Sequence, residues 1–402
     1  MKVLHINSTD EGGTFNLLFD IHKSLIKKKI KTKIYLPHRK NHLPKKKNVP
    51  NFYIQDNIIF NFHFYIINFL KRIIKKFFLK TKPYSTVTLS LFDSFGLKKM
   101  IKKIKPDIIH LHWLGNEFVS LRDIIDLKIP IVWTMHDLWI VNPYYHYENK
   151  QNKNFFSKIL TNYLFDKIRI ILKKNIQIVP TSEWSKRKLE KKFRLGSKKS
   201  SYIPCGIDFK KFYPMSKFQS KKLLGLQKRS VILFIAFGVN NPRKGFEFLK
   251  KSLKFIKHDY QLLIAGDTKP HNFKGEYKFV KLPKTFKMRR LIFNSADLLI
   301  VPSTHEAFGL VSIEAAACNT PSVIFNDTGL QDPIKHKVNG YVAKYKNSND
   351  LGKGINWILK SIKEEPKKFK NCRKQAIKKY DINNLTDKYI LTYKKLLKKK
   401  FT

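Results

Sequence analysis

The chain has 402 residues, 43% of them hydrophobic, and this length exceeds what one ordinary hydrophobic core organises, so we expect two globular domains. Lysine and arginine number 81 against 29 aspartates and glutamates, which gives a formal net charge of +52 at pH 7. Because the lysines are spread along the whole chain, this charge predicts nonspecific attraction to nucleic acid, acidic lipid or sugar phosphates rather than a dedicated basic surface. The three cysteines have no metal-type spacing, and Met1 leads straight into a strand pattern instead of a signal peptide, which predicts a reducing cytoplasm.

Apolar runs typical of strands alternate with amphipathic helical stretches along the first half, and this alternation indicates parallel α/β units. A turn at 11–14 and a helix at 15–28 follow the first predicted strand. The predicted strands cover residues 2–7, 31–36, 107–111, 129–134, 177–180 and 201–204. The runs at 107–111 and 129–134 are rich in Ile and Val, as expected for a sheet that is buried on both faces.

Residues 58–79 form a segment in which a mostly apolar run is followed by several cations. Its apolar run, 58–70, is interrupted by Asn61, His63 and Asn68 and is shorter than the roughly 20 residues that a membrane-spanning helix needs. Several cations follow directly. The segment therefore either lies on an anionic lipid surface, as basic amphipathic helices do, or packs on the first domain, and the sequence leaves both alternatives open.

The second half repeats the α/β pattern after a connection at 208–214. Its predicted strands cover residues 231–237, 261–265, 298–301 and 322–325, and a helix is predicted at 350–360. From 367 to 399 the chain is rich in lysine, and Leu385, Tyr389, Tyr393 and Leu396 recur at helical spacing. The predicted architecture is thus α/β, with Rossmann-like domains at 1–207 and 208–375 and a C-terminal helical segment at 376–402.

Two loops of the first half follow predicted strands directly. Gly12 and Gly13 come after the first strand and before a helix, where a glycine turn lets backbone amides approach a ligand at the carboxyl edge of the sheet. His110 and His112 close one strand on a single face, and His136 closes the next, followed by Asp137. These histidines are either metal ligands, as in hydrolases, or side chains that line a binding site without metal.

In the second half, Arg243 and Lys244 lie in a loop between a strand and a helix, where their cations can reach a diphosphate. Glu306 and Glu314 stand eight residues apart around a Phe-Gly pair. A helix that begins after Gly309 would direct unpaired amides, which carry partial positive charge, toward an anion. Spacing alone fits either a nucleotide-sugar site or a surface loop with two solvated glutamates.

The run from Glu306 to Glu314, followed by Ala-Ala-Ala-Cys-Asn-Thr-Pro and later by Asn339-Gly340-Tyr341, resembles the donor-site signature of retaining glycosyltransferase family 4. The resemblance implies the glycosyltransferase-B fold, with two Rossmann-like domains facing each other across a cleft and a last helix that crosses back to the first domain. It also implies that His136, in a Thr-x-His-Asp segment, lies near the transferred sugar.

Some positions depart from the family pattern. Lys244 matches the lysine of Gly-Arg-x-x-x-x-Lys-Gly, but Val239 stands at the usual arginine position, and we hypothesise that Arg243 supplies the missing guanidinium. Asn319 replaces a glycine, in a turn that asparagine can adopt. Thr328-Gly329 stands where the family has Gly-Gly.

The resemblance implies a cytoplasmic, retaining hexosyltransferase-type enzyme that moves a sugar from a nucleotide-diphosphate donor to an acceptor hydroxyl. The acceptor would be a growing surface polysaccharide or a lipid-linked glycan, with peripheral contact to an anionic membrane and no specific nucleic acid. No metal or cofactor is expected, since the chain has no Asp-x-Asp. The implied catalytic residues are His136 and Glu306, and the implied donor-binding residues are Gly12, Gly13, Arg243, Lys244, Phe308, Gly309, Leu310 and Glu314.

Other functions remain open at this point. A nonhydrolysing nucleotide-sugar epimerase shares the architecture and would act on a nucleotide sugar without an acceptor. A basic nucleic-acid-binding protein is suggested by the net charge alone, although dispersed lysines predict salt-sensitive binding without sequence preference. A metal-dependent hydrolase would use the histidines of the first half.

Overall fold

The computed structural model describes residues 1–37, 52–54, 58–79, 81–82, 84–142, 144–147, 154–196, 199–283 and 285–398. The chain forms two compact units: unit 1 consists of Met1–Pro204 together with Ile382–Thr402, and unit 2 of Cys205–Asp381. The sequence prediction had put domain boundaries after residues 207 and 375, with the C-terminal helical segment counted separately.

Unit 1 is built on a parallel sheet whose strand order is β3-β2-β1-β4-β5-β6. Its strands are β1 (Lys2–Ile6), β2 (Lys31–Leu36), β3 (Phe52–Ile54), β4 (Ile108–Leu111), β5 (Ile131–Met135) and β6 (Ile176–Pro180). Its helices are α1 (Gly12–Lys27), α2 (Ile58–Ile73), α3 (Leu97–Ile104), α4 (Leu121–Asp126), α5 (Phe155–Lys173) and α6 (Glu183–Phe193). A π-helical turn (Ile74–Phe78) continues α2.

Unit 2 has a second parallel sheet, of order β12-β11-β10-β7-β8-β9. Its strands are β7 (Ser230–Ala236), β8 (Tyr260–Gly266), β9 (Tyr277–Lys281), β10 (Leu298–Val301), β11 (Ser322–Phe325) and β12 (Gly340–Ala343). Its helices are α7 (Lys217–Leu223), α8 (Phe246–Ser252), α9 (Phe286–Ser295), α10 (Leu310–Ala317), α11 (Ser348–Glu364) and α12 (Cys372–Tyr380). The last helix, α13 (Ile382–Lys398), belongs to unit 1.

Both sheets have the doubly wound topology. Counted from each unit's own first strand, the strand order is 3-2-1-4-5-6 in both sheets. Strands are added outward in one direction as far as the third strand, and from the fourth strand onward they are added in the opposite direction. This reversal lies between β1 and β4 in unit 1 and between β7 and β10 in unit 2. In open parallel sheets, ligands bind outside the carboxyl ends of the strands at this reversal. The loops after β1 and β4 in unit 1, and after β7 and β10 in unit 2, are therefore where the fold itself positions a site.

The central strands and the edge strand β6 were predicted close to their observed ends, but the other edge strands were not. Residues 201–204 form no strand, although Ser201 and Ile203 donate backbone hydrogen bonds to Ile178 O and Pro180 O of β6. The turn predicted at 11–14 already belongs to α1, which begins at Gly12. The edge strands β3, β9 and β12 were missed. A half-exposed edge such as β9 has no continuous apolar run to signal it.

Helix α13 packs against unit 1 by both apolar and polar contacts. Tyr389 and Tyr393 are fully buried, and Asp387 pairs at 2.7 Å with Lys28, the residue directly after α1. Among the described residues, no helix is both long and apolar enough to cross a bilayer.

Candidate functional site

The loops after β7 and β10 bring together three charged side chains that the sequence had singled out. Arg243 and Lys244 lie in a short 3-10 turn (Pro242–Lys244), and Glu306 lies before α10. Lys244 Nζ donates to Glu306 Oε1 at 2.5 Å, while Arg243 Nη1 donates to the same oxygen at 3.2 Å and to His305 O at 2.9 Å. All three side chains are largely buried, with 17 to 20% of each exposed. We call these residues the cation pair and its carboxylate.

The backbone holds the two loops against each other. Thr304 N–H donates to Arg243 O at 2.9 Å, and Asn241 caps the 3-10 turn through the Arg243 amide. Gly245 has φ of +75°, and a Cβ there would lie 1.8 Å from Pro302 O. Only glycine permits both this conformation and this close approach. Gly245 thus lets the loop that carries Arg243 and Lys244 lie directly against the loop that carries Glu306.

The cluster keeps Glu306 ionised. Burial alone would raise the pKa of this carboxyl, but the charges and hydrogen bonds of Lys244 and Arg243 outweigh it and lower the pKa to about 2. With two cations and one carboxylate, the cluster has a net positive charge at neutral pH. It can therefore attract an anion such as a diphosphate while the carboxylate keeps both cations in place.

The start of α10 is shaped by two glycines. Gly309, the N-cap, has φ of +97°, and a Cβ there would lie 2.3 Å from the Leu330 side chain. Gly329 donates its N–H to Glu306 O at 2.8 Å, and a Cβ there would lie 2.0 Å from Ala307 O. Phe308 is buried, with its ring edge against Tyr380. This packing fixes where the first amides of α10, from Leu310 onward, point.

Glu314 lies on α10, as predicted, but its carboxylate forms an ion pair with Arg289 of α9 and is only 6% exposed. Sequence reasoning missed Arg289, because nothing in α9 distinguishes this arginine from the many other cations of the chain.

Val239, at the position where the family pattern has arginine, is fully buried. A Cβ on Gly266 would lie 2.2 Å from its side chain, so Val239 packs closely on the end of β8. The adjacent amide of Gly238 donates to Asp267 at 2.8 Å. This position therefore supplies packing rather than charge, and Arg243 is the guanidinium that pairs with Glu306.

In unit 1, Gly12 and Gly13 form the exposed first turn of α1, directly after the β1 loop. Gly12 has φ of +82°, and within the described chain no atom lies within 4 Å of where its Cβ would be. Asn7 ties this loop to the neighbouring one, since Trp113 N–H donates to Asn7 Oδ1 at 2.9 Å. The two glycines thus lie beside the reversal of the sheet in unit 1, whereas the cation pair lies in unit 2.

Three imidazoles form a hydrogen-bonded chain at the end of the unit 1 sheet. His5 Nδ1 lies 3.0 Å from His112 Nε2, and His112 Nδ1 lies 3.1 Å from His136 Nε2. Burial lowers the pKa of His5 and His112 well below the usual value, and it lowers that of His136 to about 4, so all three are neutral at pH 7. The sequence analysis missed His5, because a lone histidine in a buried strand carries no signal.

His136 lines a small pocket that is partly open to solvent. Its lining includes three tryptophans, Trp113, Trp133 and Trp139. The neighbouring Asp137 does not contact this imidazole chain: its carboxylate pairs with His146 Nδ1 at 2.5 Å. Asp137 therefore shapes the wall of the pocket, and its charge only partly offsets the burial that lowers the pKa of His136.

His5, His110 and His112 have ring nitrogens within 4.8 Å of one another, which is close enough to hold a metal ion. However, His110 already bonds Tyr393 through Nδ1 at 2.7 Å and Thr134 through Nε2 at 2.8 Å. Both nitrogens of His112 are engaged by histidines as well. A metal would have to break these bonds, so the geometry favours a hydrogen-bonded network over a ligand set.

Comparison with known families matches most of the chain. Residues 11–211 match the family described as Glycosyltransferase Family 4, and residues 216–379 match the family described as Glycosyl transferases group 1. An uncharacterised glycosyltransferase of Methanocaldococcus jannaschii is 24% identical over 338 residues, or 78% of this chain and 83% of its own. UDP-Gal:alpha-D-GlcNAc-diphosphoundecaprenol alpha-1,3-galactosyltransferase of Escherichia coli is 24% identical over 360 residues, or 85% of this chain and 89% of its own.

Solved structures share the fold over nearly the whole chain. Sucrose-phosphate synthase from Thermosynechococcus elongatus has a TM-score of 0.73 at 19% identity, covering 98% of both chains. The Anabaena protein HepE in complex with UDP and glucose has a TM-score of 0.71 at 16% identity, covering 98% of this chain and 100% of its own. This likeness confirms the predicted fold class, two Rossmann-like α/β domains of glycosyltransferase-B type.

Proposed function

Because the chain belongs to glycosyltransferase family 4, we propose that it transfers a hexose from a nucleotide-diphosphate sugar to an acceptor hydroxyl with retention of configuration. The cation pair and its carboxylate carry the proposal. They lie at the reversal of the unit 2 sheet, where the cation pair follows β7 and Glu306 lies in the loop between β10 and the start of α10. A net positive cluster beside helix amides has the charge and geometry that a diphosphate needs.

In this mechanism, Lys244 and Arg243 neutralise the diphosphate, and the backbone amides of Phe308, Gly309 and Leu310 donate hydrogen bonds to its oxygens. The bond between the anomeric carbon and the diphosphate oxygen breaks first, so that the sugar gains oxocarbenium character and the nucleotide leaves as an anion. An oxygen of the departing phosphate then takes the proton of the acceptor hydroxyl. At the same time the acceptor oxygen bonds to the anomeric carbon, on the face that the diphosphate has left. Preorganised positive charge at the leaving group supplies several kcal/mol of barrier lowering.

The remaining site residues position the sugar and the nucleotide. Glu306 faces the sugar, and Glu314 takes ribose hydroxyls. His136 contacts the sugar or the acceptor, and Gly12 and Gly13 let the backbone of unit 1 approach the ligand. Because the protein itself supplies the cations, the reaction requires neither a metal nor another cofactor.

We place the reaction in the cytoplasm, at the inner face of the membrane, with a lipid-linked or polysaccharide acceptor. The names of two relatives support this acceptor class. The Escherichia coli relative acts on a diphosphoundecaprenol-linked sugar, and a Campylobacter jejuni relative, 25% identical over 203 residues, is a diphospho-undecaprenol N-acetylgalactosaminyltransferase.

Binding of UDP, GDP and ADP to the purified protein, measured by calorimetry, tests the donor site. Lys244→Ala should weaken binding of the preferred nucleotide roughly 10- to 100-fold, because it removes a charge-assisted hydrogen bond. Lys250→Ala is the matched control, since Lys250 lies on α8 in the same unit, pairs with Glu247 at the surface and donates a hydrogen bond to Asn272 O. Equal nucleotide affinity in the two variants would exclude the cation pair as the diphosphate site.

The transfer itself is tested by incubating the matching nucleotide sugar with lipid-linked oligosaccharides and analysing the product. The anomeric proton coupling in the product, measured by NMR, should report the same configuration as the donor. An inverted product would disprove retention. Conversion of the nucleotide sugar to its epimer without any acceptor would replace transfer by epimerisation.

A further inference from the structure

Helix α2 is apolar on two opposite faces, and only one of them is covered. Phe60 and Ile67 are buried in the core of unit 1, at 2% and 4% exposure. On the other side, four large side chains recur at spacings of three and four residues and form one continuous face, which we call the exposed stripe. The exposed stripe consists of Ile59, Phe62, Ile66 and Phe69, with exposures of 65%, 66%, 39% and 52%.

The apolar surface continues past the helix. Tyr65, beside the stripe, is 69% exposed, and Phe77 and Phe78 of the π-helical turn are 61% and 47% exposed. Single exposed hydrophobic residues are ordinary on protein surfaces, but a contiguous row of this size marks an interaction site. The exposed stripe therefore calls for an apolar partner.

The charge around the stripe indicates the nature of that partner. Between residues 58 and 82 the chain has six cations and no aspartate or glutamate. Arg72 and Lys76, at the C-terminal end of the stripe, are exposed. Lys71 lies on the covered face instead, where its Nζ forms an ion pair with Glu117 Oε1 at 3.4 Å, so its charge is neutralised within unit 1. The uncovered face therefore presents aromatic and aliphatic side chains next to unopposed positive charge.

We propose that the exposed stripe docks this protein on the surface of an anionic lipid bilayer, with α2 lying in the plane of the headgroups. The stripe inserts to the depth of its side chains, while Arg72 and Lys76 contact lipid phosphates. A second copy of the chain fits less well, because it would bring two patches of like charge together on molecules that each carry +52. The proposal is independent of the acceptor suggested above.

Vesicle co-sedimentation tests the proposal directly. The full chain should bind phosphatidylcholine vesicles that contain phosphatidylglycerol, and it should bind pure phosphatidylcholine much more weakly. Replacing Phe62 and Phe69 by Ser should weaken binding to the anionic vesicles by at least about tenfold, because the apolar contribution is lost while every cation remains. Phe218→Ser is the matched control, since Phe218 of α7 is 65% exposed and lies in unit 2. Unchanged melting temperatures show that the variants fold.

A second measurement detects contact with the lipid itself. The fluorescence of a Phe69→Trp variant should be quenched by brominated acyl chains beyond the quenching of the native tryptophans. If the Phe62/Phe69 variant bound anionic vesicles as tightly as wild type, and all binding vanished in high salt, the dispersed lysines alone would account for it and the docking surface would be refuted. A dimer that dissociates in the same variant, without lipid binding by wild type, would assign the stripe to a second copy.

The imidazole chain of unit 1 supports an independent inference about His136. Within the described residues, His5 Nε2 is buried without a hydrogen-bond partner. A buried N–H without an acceptor is rarer in proteins than a lone pair without a donor, so the proton of His5 belongs on Nδ1. His5 then donates to His112 Nε2. Because His112 is neutral, its own proton lies on Nδ1 and is donated to His136 Nε2.

We infer that His5 and His112 are positioning residues that hold His136 in the tautomer with its proton on Nδ1. His136 is partly exposed, so that N–H can reach a ligand, whereas Nε2 is already occupied by His112. His136 is thereby a hydrogen-bond donor to a sugar or acceptor oxygen and not a base. This role rests on the proposed function, but the tautomer itself does not.

Nitrogen-15 NMR of histidine-labelled protein measures the tautomer without any substrate. A His136→Gln spectrum assigns the His136 nitrogens, and wild type should show Nδ1 protonated and Nε2 unprotonated. Replacing His5 by Phe keeps a ring in the core but removes the donor to His112, so the His136 signals should shift toward a mixture of tautomers while those of His110 stay. Protonation of Nε2 in wild type, or an unchanged His136 spectrum in the His5 variant, would overturn the inference.

Discussion

Removing the charge of Glu306 should destabilise unit 2 more than almost any other single polar change. Glu306→Gln keeps the size and an acceptor oxygen, but it leaves Lys244 and Arg243 largely buried without an anion. The pKa of Glu306 falls from the usual 4.5 to about 2, and linkage between protonation and folding converts this difference to about 3 kcal/mol at pH 7. Loss of one partner from a buried ion pair typically costs a similar amount, about 3–5 kcal/mol.

Because the folded pKa is depressed, this contribution is complete above pH 4.5 and disappears as the pH falls from 4.5 toward 2. The effect should therefore be constant between pH 7 and pH 5. The nucleotide affinity of the variant should not fall, since the cation pair no longer has an internal anion to compete with a diphosphate. Transfer should decrease, because the proposed contact with the sugar is lost.

Unfolding of unit 2 can be followed within the full chain by a single probe. The chain has five tryptophans, and only Trp357 belongs to Cys205–Asp381. Urea titration of protein labelled with 5-fluorotryptophan, read by fluorine NMR at Trp357, gives the free energy of unfolding of this unit. The matched control is Glu364→Gln, which removes an exposed pair with Lys360 at 3.6 Å and should cost less than about 0.5 kcal/mol. A Glu306→Gln effect no larger than this control would refute the electrostatic reasoning.

Further predictions follow from the same geometry. As the pH falls below 6.5, unit 1 should lose stability, because the unfolded chain binds protons at His5 and His112 that the folded unit excludes, where burial lowers the pKa of both groups. Urea midpoints of unit 1 that stay constant between pH 7 and pH 5 would contradict this. Arg243→Ala should weaken nucleotide binding roughly tenfold in calorimetry, and unchanged affinity would assign the guanidinium no role. Gly329→Ala should lower both the melting temperature and nucleotide affinity, since its Cβ would displace Ala307 O. Transfer activity should survive EDTA, and its loss with recovery on adding a divalent ion would contradict a metal-independent reaction.

Much of the fold could be predicted from the sequence, because buried strands of a parallel sheet are short apolar runs that need no tertiary context. β2, β10 and β11 were predicted with their observed ends for this reason. The loops that carry Arg243, Lys244 and Glu306 could be identified as well, since a glycine or a Pro-Arg-Lys-Gly turn between a strand and a helix is a local signal.

Contacts between residues distant in the chain were decided only by the tertiary structure. The direct pairing of Lys244 with Glu306, the arginine on Glu314 and the place of His5 in the imidazole chain all join side chains from separate strands or helices, and no spacing in the sequence encodes these distances. The same holds for helix α2, where the sequence showed an apolar segment followed by cations and left two alternatives. Burial of Phe60 on one face, with Phe62 exposed on the other, depends on which side of the helix the core of unit 1 covers. Hydrophobic periodicity determines that a helix forms, but only packing against the rest of the chain determines which of two apolar faces is left uncovered.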